Sequence, residues 1–163
     1  MYNYRKLAEL PKHLVEIKDL KSLKDEVLFN FDFLLAKLQA LGYQSMFIDF
    51  VNVSKAYPDD KDIKTLLNVI KGCGRTLLVD PYQLSTQLHG RLAGKELSDD
   101  LNKLLRDSSS INIPCFIPNK GCFESPGESL IHSFVGHVGT IENASFTADG
   151  TKLLSVALDS TLK

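Results

Sequence analysis

The sequence predicts a mainly α-helical protein: a helical arm or bundle followed by a short β segment. Three observations lead there. Apolar residues recur at spacings of three and four from the start to about residue 107, as a succession of one-sided helices requires. Composition then turns to Ser, Pro and Gly, and no period survives to residue 129. From Leu130 the period becomes two-like and β-branched residues increase. The expected organisation is a helical arm domain over 1–107, an irregular linker over 108–129, and a partial β unit over 130–163.

The elements follow in order. Leu7, Leu10, Leu14 and Ile17 lie on one helical face, with Pro11 inside the pattern. Proline lacks the amide donor and disfavours helix at the residue before it, so a kink, or a break with Pro11 opening a second helix, is expected. Asp19 or Ser22 is placed to cap a helix carrying Leu20, Leu23, Val27 and Leu28. A third helix carries Phe31, Leu34, Leu35, Leu38 and Leu41. Gly42 stands just after it, where a left-handed C-terminal cap is commonly needed. Tyr43 to Tyr57 is a fourth, with Met46, Phe47, Phe50 and Val51 apolar, and Pro58 ends it. Asp59-Asp60 opens a fifth at the positive end of its dipole, carrying Ile63, Leu66, Leu67 and Ile70. Gly72 and Gly74 stop or bend it. Asp80-Pro81-Tyr82-Gln83 is the sharpest start signal, with a capping Asp, Pro in the first turn and Gln three residues on. Leu84, Leu88 and Leu92 follow, and Gly94 ends that helix. Ser98 caps a last helix with Leu101, Leu104 and Leu105. Ser108-Ser109-Ser110 reads as a linker or turn, and Pro114, Pro118, Pro126, Gly121 and Gly127 as an irregular crossing. The last stretch holds two apolar strands around Ala148-Asp149-Gly150, then an Asp159-Ser160-Thr161 turn, and stops partway into a further strand.

Bulk properties narrow the function classes. The chain is 44% hydrophobic and 24% charged, with net charge -1, so no electrostatic footprint for nucleic acid is present. No apolar run approaches the roughly 18 residues of a membrane span. The start has no signal-peptide core. Cys73, Cys115 and Cys122 are odd in number and form no C-x-x-C, which suits reduced thiols in a cytoplasmic chain.

Candidate sites are sparse. Gly72-Cys73-Gly74-Arg75 lacks the spacing of a phosphate-binding loop and reads as a helix break. His132 and His137 lie near Cys115 and Cys122 in sequence, but their spacings match no common zinc pattern. No His is placed to activate a cysteine. Phe29, Phe31, Phe33, Phe47 and Phe50 recur at helical spacing, as core does. The expectation is no catalytic residue, no metal and no cofactor. A hairpin of this size is marginal alone in water. Residues 130–163 are therefore expected to be weakly ordered or to lean on the helices.

Several stretches carry a resemblance. Leu10-Pro11-Lys12-His13-Leu14, then Leu28-Phe29-Asn30-Phe31-Asp32-Phe33-Leu34-Leu35-Ala36-Lys37, then Phe47-Ile48-Asp49-Phe50-Val51, resemble in order the helical arm behind the nucleotide-binding module of NACHT and WD-repeat proteins and of apoptotic protease-activating factor. Leu88-His89-Gly90-Arg91-Leu92 looks like a further family feature. Gly136-His137, Phe146-Thr147-Ala148-Asp149-Gly150, Leu153-Leu154-Ser155 and Asp159-Ser160-Thr161 resemble the opening of a WD-repeat propeller, with Ala148 where Pro is usual. The resemblance implies a structural hydrogen-bond set of His137, Ser155 and Asp159, completed by a Trp beyond Lys163.

It also implies a non-catalytic scaffold segment linking a nucleotide switch to a propeller. Protein partners are expected, and nucleotide only through a module absent from this chain. Two alternatives stay open. One is a free-standing helical adaptor that binds a partner through its C-terminal strands. The other is a hydrolase using His137, Asp159 and Ser155, which requires the Ser155 hydroxyl and the His ring within hydrogen-bond reach in a pocket.

Overall fold

A computed structural model describes residues 2–110, 115–123, 137 and 140–163. The fold is mainly α-helical with a short two-stranded antiparallel sheet at the C-terminal end. The chain divides into two compact units, Met1–Leu130 and Ile131–Lys163.

In the first unit the helices are α1 (Tyr4–Glu16), α2 (Leu20–Leu23), α3 (Phe31–Ala56), α4 (Lys61–Gly72), α5 (Gly74–Val79), α6 (Leu84–Leu92) and α7 (Asp99–Ser109). They share one apolar core. Leu7 and Leu14 come from α1, Phe31, Leu38 and Phe50 from α3, Ile63, Leu66 and Ile70 from α4, Leu84 and Leu88 from α6, and Leu104 from α7. Phe29, Phe31, Phe33 and Phe50 are buried and Phe47 is half-buried, so the aromatic set is core.

Start signals read from sequence act as caps. Asp19 accepts from Ser22 N–H, Asp60 from Asp62 and Ile63 N–H, Asp80 from Tyr82 N–H, and Ser98 from Leu101 N–H. Each occupies a donor that the first helical turn leaves open. Pro81–Gln83 forms a single 3-10 turn before α6. The helix expected over Leu20 to Leu28 changes pitch. Lys24–Leu28 is a π turn, in which Phe29 N–H donates to Lys24 O at 3.0 Å. The wider turn lets Val27, Leu28 and Phe29, adjacent in sequence, all be buried.

Three expectations are corrected. First, α1 runs unbroken through Pro11. Proline leaves the carbonyl four residues back without its helical donor, and here Lys37 Nζ donates to that carbonyl, Leu7 O, at 2.6 Å. An unfilled buried acceptor would cost about 1–3 kcal/mol, so this bond offsets the break that Pro11 invites. Second, the third and fourth helices do meet at Gly42, as residues 31–41 and 43–56 of α3, but Gly42 (φ 79°, ψ 170°) is not in the left-handed cap conformation expected there. Lys37 and Asp49 form an ion pair across it. On a straight helix they would lie about 18 Å apart, at about 1.5 Å per residue, beyond the reach of both side chains. The two halves therefore fold back on each other at Gly42. Third, Ser108-Ser109-Ser110 is no linker. Ser108 and Ser109 form the last turn of α7 and Ser110 follows as its C-cap.

Part of the expected linker also packs. Gly121 N–H donates to Ala93 O at 2.9 Å, and Cys122 and Phe123 N–H donate to Gly90 O at 2.9 and 2.8 Å. These groups fill carbonyls that the C-terminus of α6 leaves open. Gly90 is required there, because a Cβ would stand 2.2 Å from the Phe123 ring. Pro114, Pro126 and Gly127 lie outside the described residues.

The second unit pairs β1 (Ile141–Phe146) with β2 (Leu153–Ala157), from Phe146 opposite Leu153 to Ile141 opposite Ala157, with an irregularity at Glu142. On the other side of β2, Val156 bridges to Leu162, and Ser155 exchanges both backbone bonds with Lys163 at 2.8 and 2.9 Å. No helix among the described residues is long and apolar enough to cross a membrane.

Candidate functional site

The site grows from two turns with the same chemistry. Between the strands, Asp149 accepts from Thr151 N–H at 3.1 Å, Thr151 Oγ1 at 2.7 Å and Thr147 Oγ1 at 2.5 Å. These donors, chiefly the Thr hydroxyls, hold its carboxyl at about 2. Gly150 supplies the left-handed backbone (φ 68°) that the turn needs. After β2 the pattern recurs: Asp159 accepts from Thr161 N–H at 3.0 Å and Thr161 Oγ1 at 2.7 Å, around Ser160 at φ 62°. The second turn aims the Asp159 carboxylate at His137.

His137 Nδ1 lies 3.1 Å from Asp159 Oδ2 and 3.0 Å from Thr161 Oγ1, and Nε2 lies 2.8 Å from Ser155 Oγ. In a neutral ring the carboxylate favours the proton on Nδ1, and Nε2 then accepts from the Ser155 hydroxyl. The His137 and Asp159 side chains are 7% and 14% exposed, so the pair is shielded from competing water. The three residues singled out in the sequence thus meet in one hydrogen-bonded row, and Thr161 joins them. Thr161 is the member that sequence reasoning left inside a turn. The Asp-x-Thr spacing, repeated from Asp149-Gly150-Thr151, was the available signal. Gly136, the partner of His137 in the Gly-His pair, lies outside the described residues.

The row has the connectivity of a Ser-His-Asp triad, so its surroundings decide what it can do. A nucleophilic serine needs amide donors aimed at the oxyanion beside it. Ser155 lies within β2, and its own N–H is committed to Lys163 O at 2.8 Å. The arrangement is suited to tying the segment before β1 to the turn after β2.

No family model, curated protein or solved structure matches this chain.

The remaining candidates are scattered. Cys73 is buried at the break between α4 and α5, where burial pushes its thiol up to about 12. Gly72 O accepts from Arg91 Nη2 at 2.9 Å, and Cys73 N–H donates to Val69 O, so the Gly72–Arg75 stretch is a helix junction. Cys122 is exposed and Cys115 half-buried. His132 lies outside the described residues, and among those described no group of His, Cys, Asp and Glu is placed to hold a metal.

His89 is buried in the helical unit. Its Nε2 lies 3.2 Å from Leu105 O, 3.1 Å from Ser108 Oγ and 3.0 Å from Ser109 Oγ, which joins α6 to the end of α7. Burial lowers its pKa, against the pull of the Leu105 carbonyl. A folded value below the unfolded one, about 6.5, means the native state prefers the neutral ring. Its contribution to stability is complete above about pH 6.5 and is lost as pH falls from there through the lowered value. Urea midpoints measured from pH 8 to pH 5 should fall over that window, and His89→Gln should flatten that part of the profile.

Proposed function

We propose that this chain is a non-catalytic connecting and interaction segment of a NACHT-type signalling protein. Its helical unit is the arm behind a nucleotide switch, and its β unit is the first part of a WD-repeat blade. The observation that carries the proposal is the meeting of His137, Ser155 and Asp159 at 2.8 and 3.1 Å, the set that the resemblance to WD repeats implies.

The character of the sheet supports it. Paired residues share a face, so Phe146 and Leu153 lie on the Ser155 side, and Leu154, Val156 and Leu162 on the other. Phe146 is 67% exposed, Leu154 48% and Leu162 62%. A sheet that is apolar on both faces suits a blade stacked between neighbours, because each blade hides its faces only against the next. A cytoplasmic setting and protein partners belong to the same proposal, and a nucleotide would act only through a module outside this chain.

The test compares wild type, His137→Ala and Ser155→Ala in two measurements. Hydrogen exchange should show less protection at Ile141 to Phe146 than at Leu34 to Leu41 in wild type, and less still in both variants. A panel of ester and peptide substrates should show no turnover above the buffer blank. Turnover by wild type that Ser155→Ala abolishes would replace the scaffold with the hydrolase.

A further inference from the structure

Pro11, Lys37 and Asp49 sit on three helical segments: α1 and the two halves of α3 on either side of Gly42. Inside α1, backbone N–H groups fill the carbonyls four residues back. At its end, Ile17, Lys18 and Asp19 N–H fill the carbonyls of His13, Val15 and Leu14. Pro11 is the proline inside this helix, so Leu7 is where a carbonyl is left open by a missing donor. Lys37, 1% exposed, puts its ammonium on that carbonyl at 2.6 Å. The same ammonium pairs with Asp49, which is 6% exposed. A buried ammonium must be both hydrogen-bonded and charge-balanced, and here the two needs are met by different helices.

We propose that Pro11, Lys37 and Asp49 form one register-selecting device. Pro11 creates an acceptor at a single address on α1. Lys37 is the side chain that reads it. Asp49 makes the ammonium tolerable only when the α3 hairpin is closed. A slip of α1 by one turn, about 5.4 Å, would face Lys37 with carbonyls already bonded within the helix. The Leu7 carbonyl would then be buried without a donor, and the ammonium would keep only its pair with Asp49. The device thus links the seating of α1 to closure of the α3 hairpin, and it operates whether or not the helical unit belongs to a NACHT-type protein.

The signature is a coupling between residues 11 and 37, read in the full chain as a double-mutant cycle by urea denaturation. Pro11→Ala restores an N–H that can reach Leu7 O within α1. Lys37→Met removes the ammonium. With Pro11 in place, Lys37→Met should raise the unfolding constant by about 100-fold or more. In a chain already carrying Pro11→Ala that increase should shrink by at least about tenfold, because Leu7 O then has a backbone donor. Asp49 is left unpaired in both backgrounds and cancels from the cycle. Equal effects of Lys37→Met in the two backgrounds would overturn the proposal. If Lys37→Met does not fold in either, the milder Lys37→Arg is compared in the same way. A Lys37→Arg penalty that Pro11→Ala leaves unchanged counts against the device, and a smaller one supports it.

Discussion

Asp49→Leu should lower stability by about 3–5 kcal/mol, because it leaves the Lys37 ammonium buried without a counter-charge. The ammonium would keep one partner, Leu7 O, and a carbonyl dipole does not balance a charge. Burial pushes the Asp49 carboxyl above its ordinary range, against the pull of Lys37 and Lys12, so the pair is held at a desolvation cost. Replacing both partners should therefore be far milder than replacing one. Lys37→Met with Asp49→Leu removes both charges and fills the space with apolar atoms. What remains is the open Leu7 carbonyl, worth about 1–3 kcal/mol. Urea denaturation of the two single variants and the double variant checks the ordering. A double variant less stable than Asp49→Leu alone would mean that packing around the Lys37 stem, rather than charge, holds these helices.

Local features of the fold were legible, and distant ones were not. Asp19, Asp60, Asp80 and Ser98 cap helices through bonds spanning two or three residues, so the signal and the structure lie in the same short stretch. The Lys37 node joins residues 30 and 12 positions apart, and no periodicity announces such a bond. Both Pro11 and Asp49 lie in stretches that carried the family resemblance, yet their spacing gave no reason for them to meet. Ser108-Ser109-Ser110 misled because serine is common in linkers. In the fold the Ser108 and Ser109 hydroxyls donate to Leu105 O one turn back, at 2.8 and 3.0 Å, so the run stays on the helix. His137, Ser155 and Asp159 are separated by up to 22 residues, and only the resemblance brought them together before the structure did. Thr161 was within reach of a purely local reading, because its bonds to Asp159 repeat those of Thr151 to Asp149.

Gly42 is where local and distant features meet, and Gly42→Ala should cost about 1–3 kcal/mol for backbone strain alone. The sequence suggests a left-handed cap, which asparagine tolerates. The backbone is elsewhere: φ 79° with ψ 170° is a region that essentially only glycine enters. An asparagine side chain offers no relief there, so Gly42→Asn should be as damaging as Gly42→Ala. Crowding does not contribute, since a Cβ at this position meets nothing within 4 Å. The strain is relieved only if the hairpin opens, and opening it separates Lys37 from Asp49. Gly42→Ala and Asp49→Leu should therefore be less than additive, because a loosened hairpin has already weakened the pair that the second change removes. Thermal or urea unfolding of Gly42→Ala, of Gly42→Asn and of Gly42→Ala combined with Asp49→Leu separates the possibilities. A Gly42→Asn protein close to wild type would place residue 42 in an ordinary left-handed cap. Strict additivity would mean that the kink and the ion pair stabilise the helical unit independently.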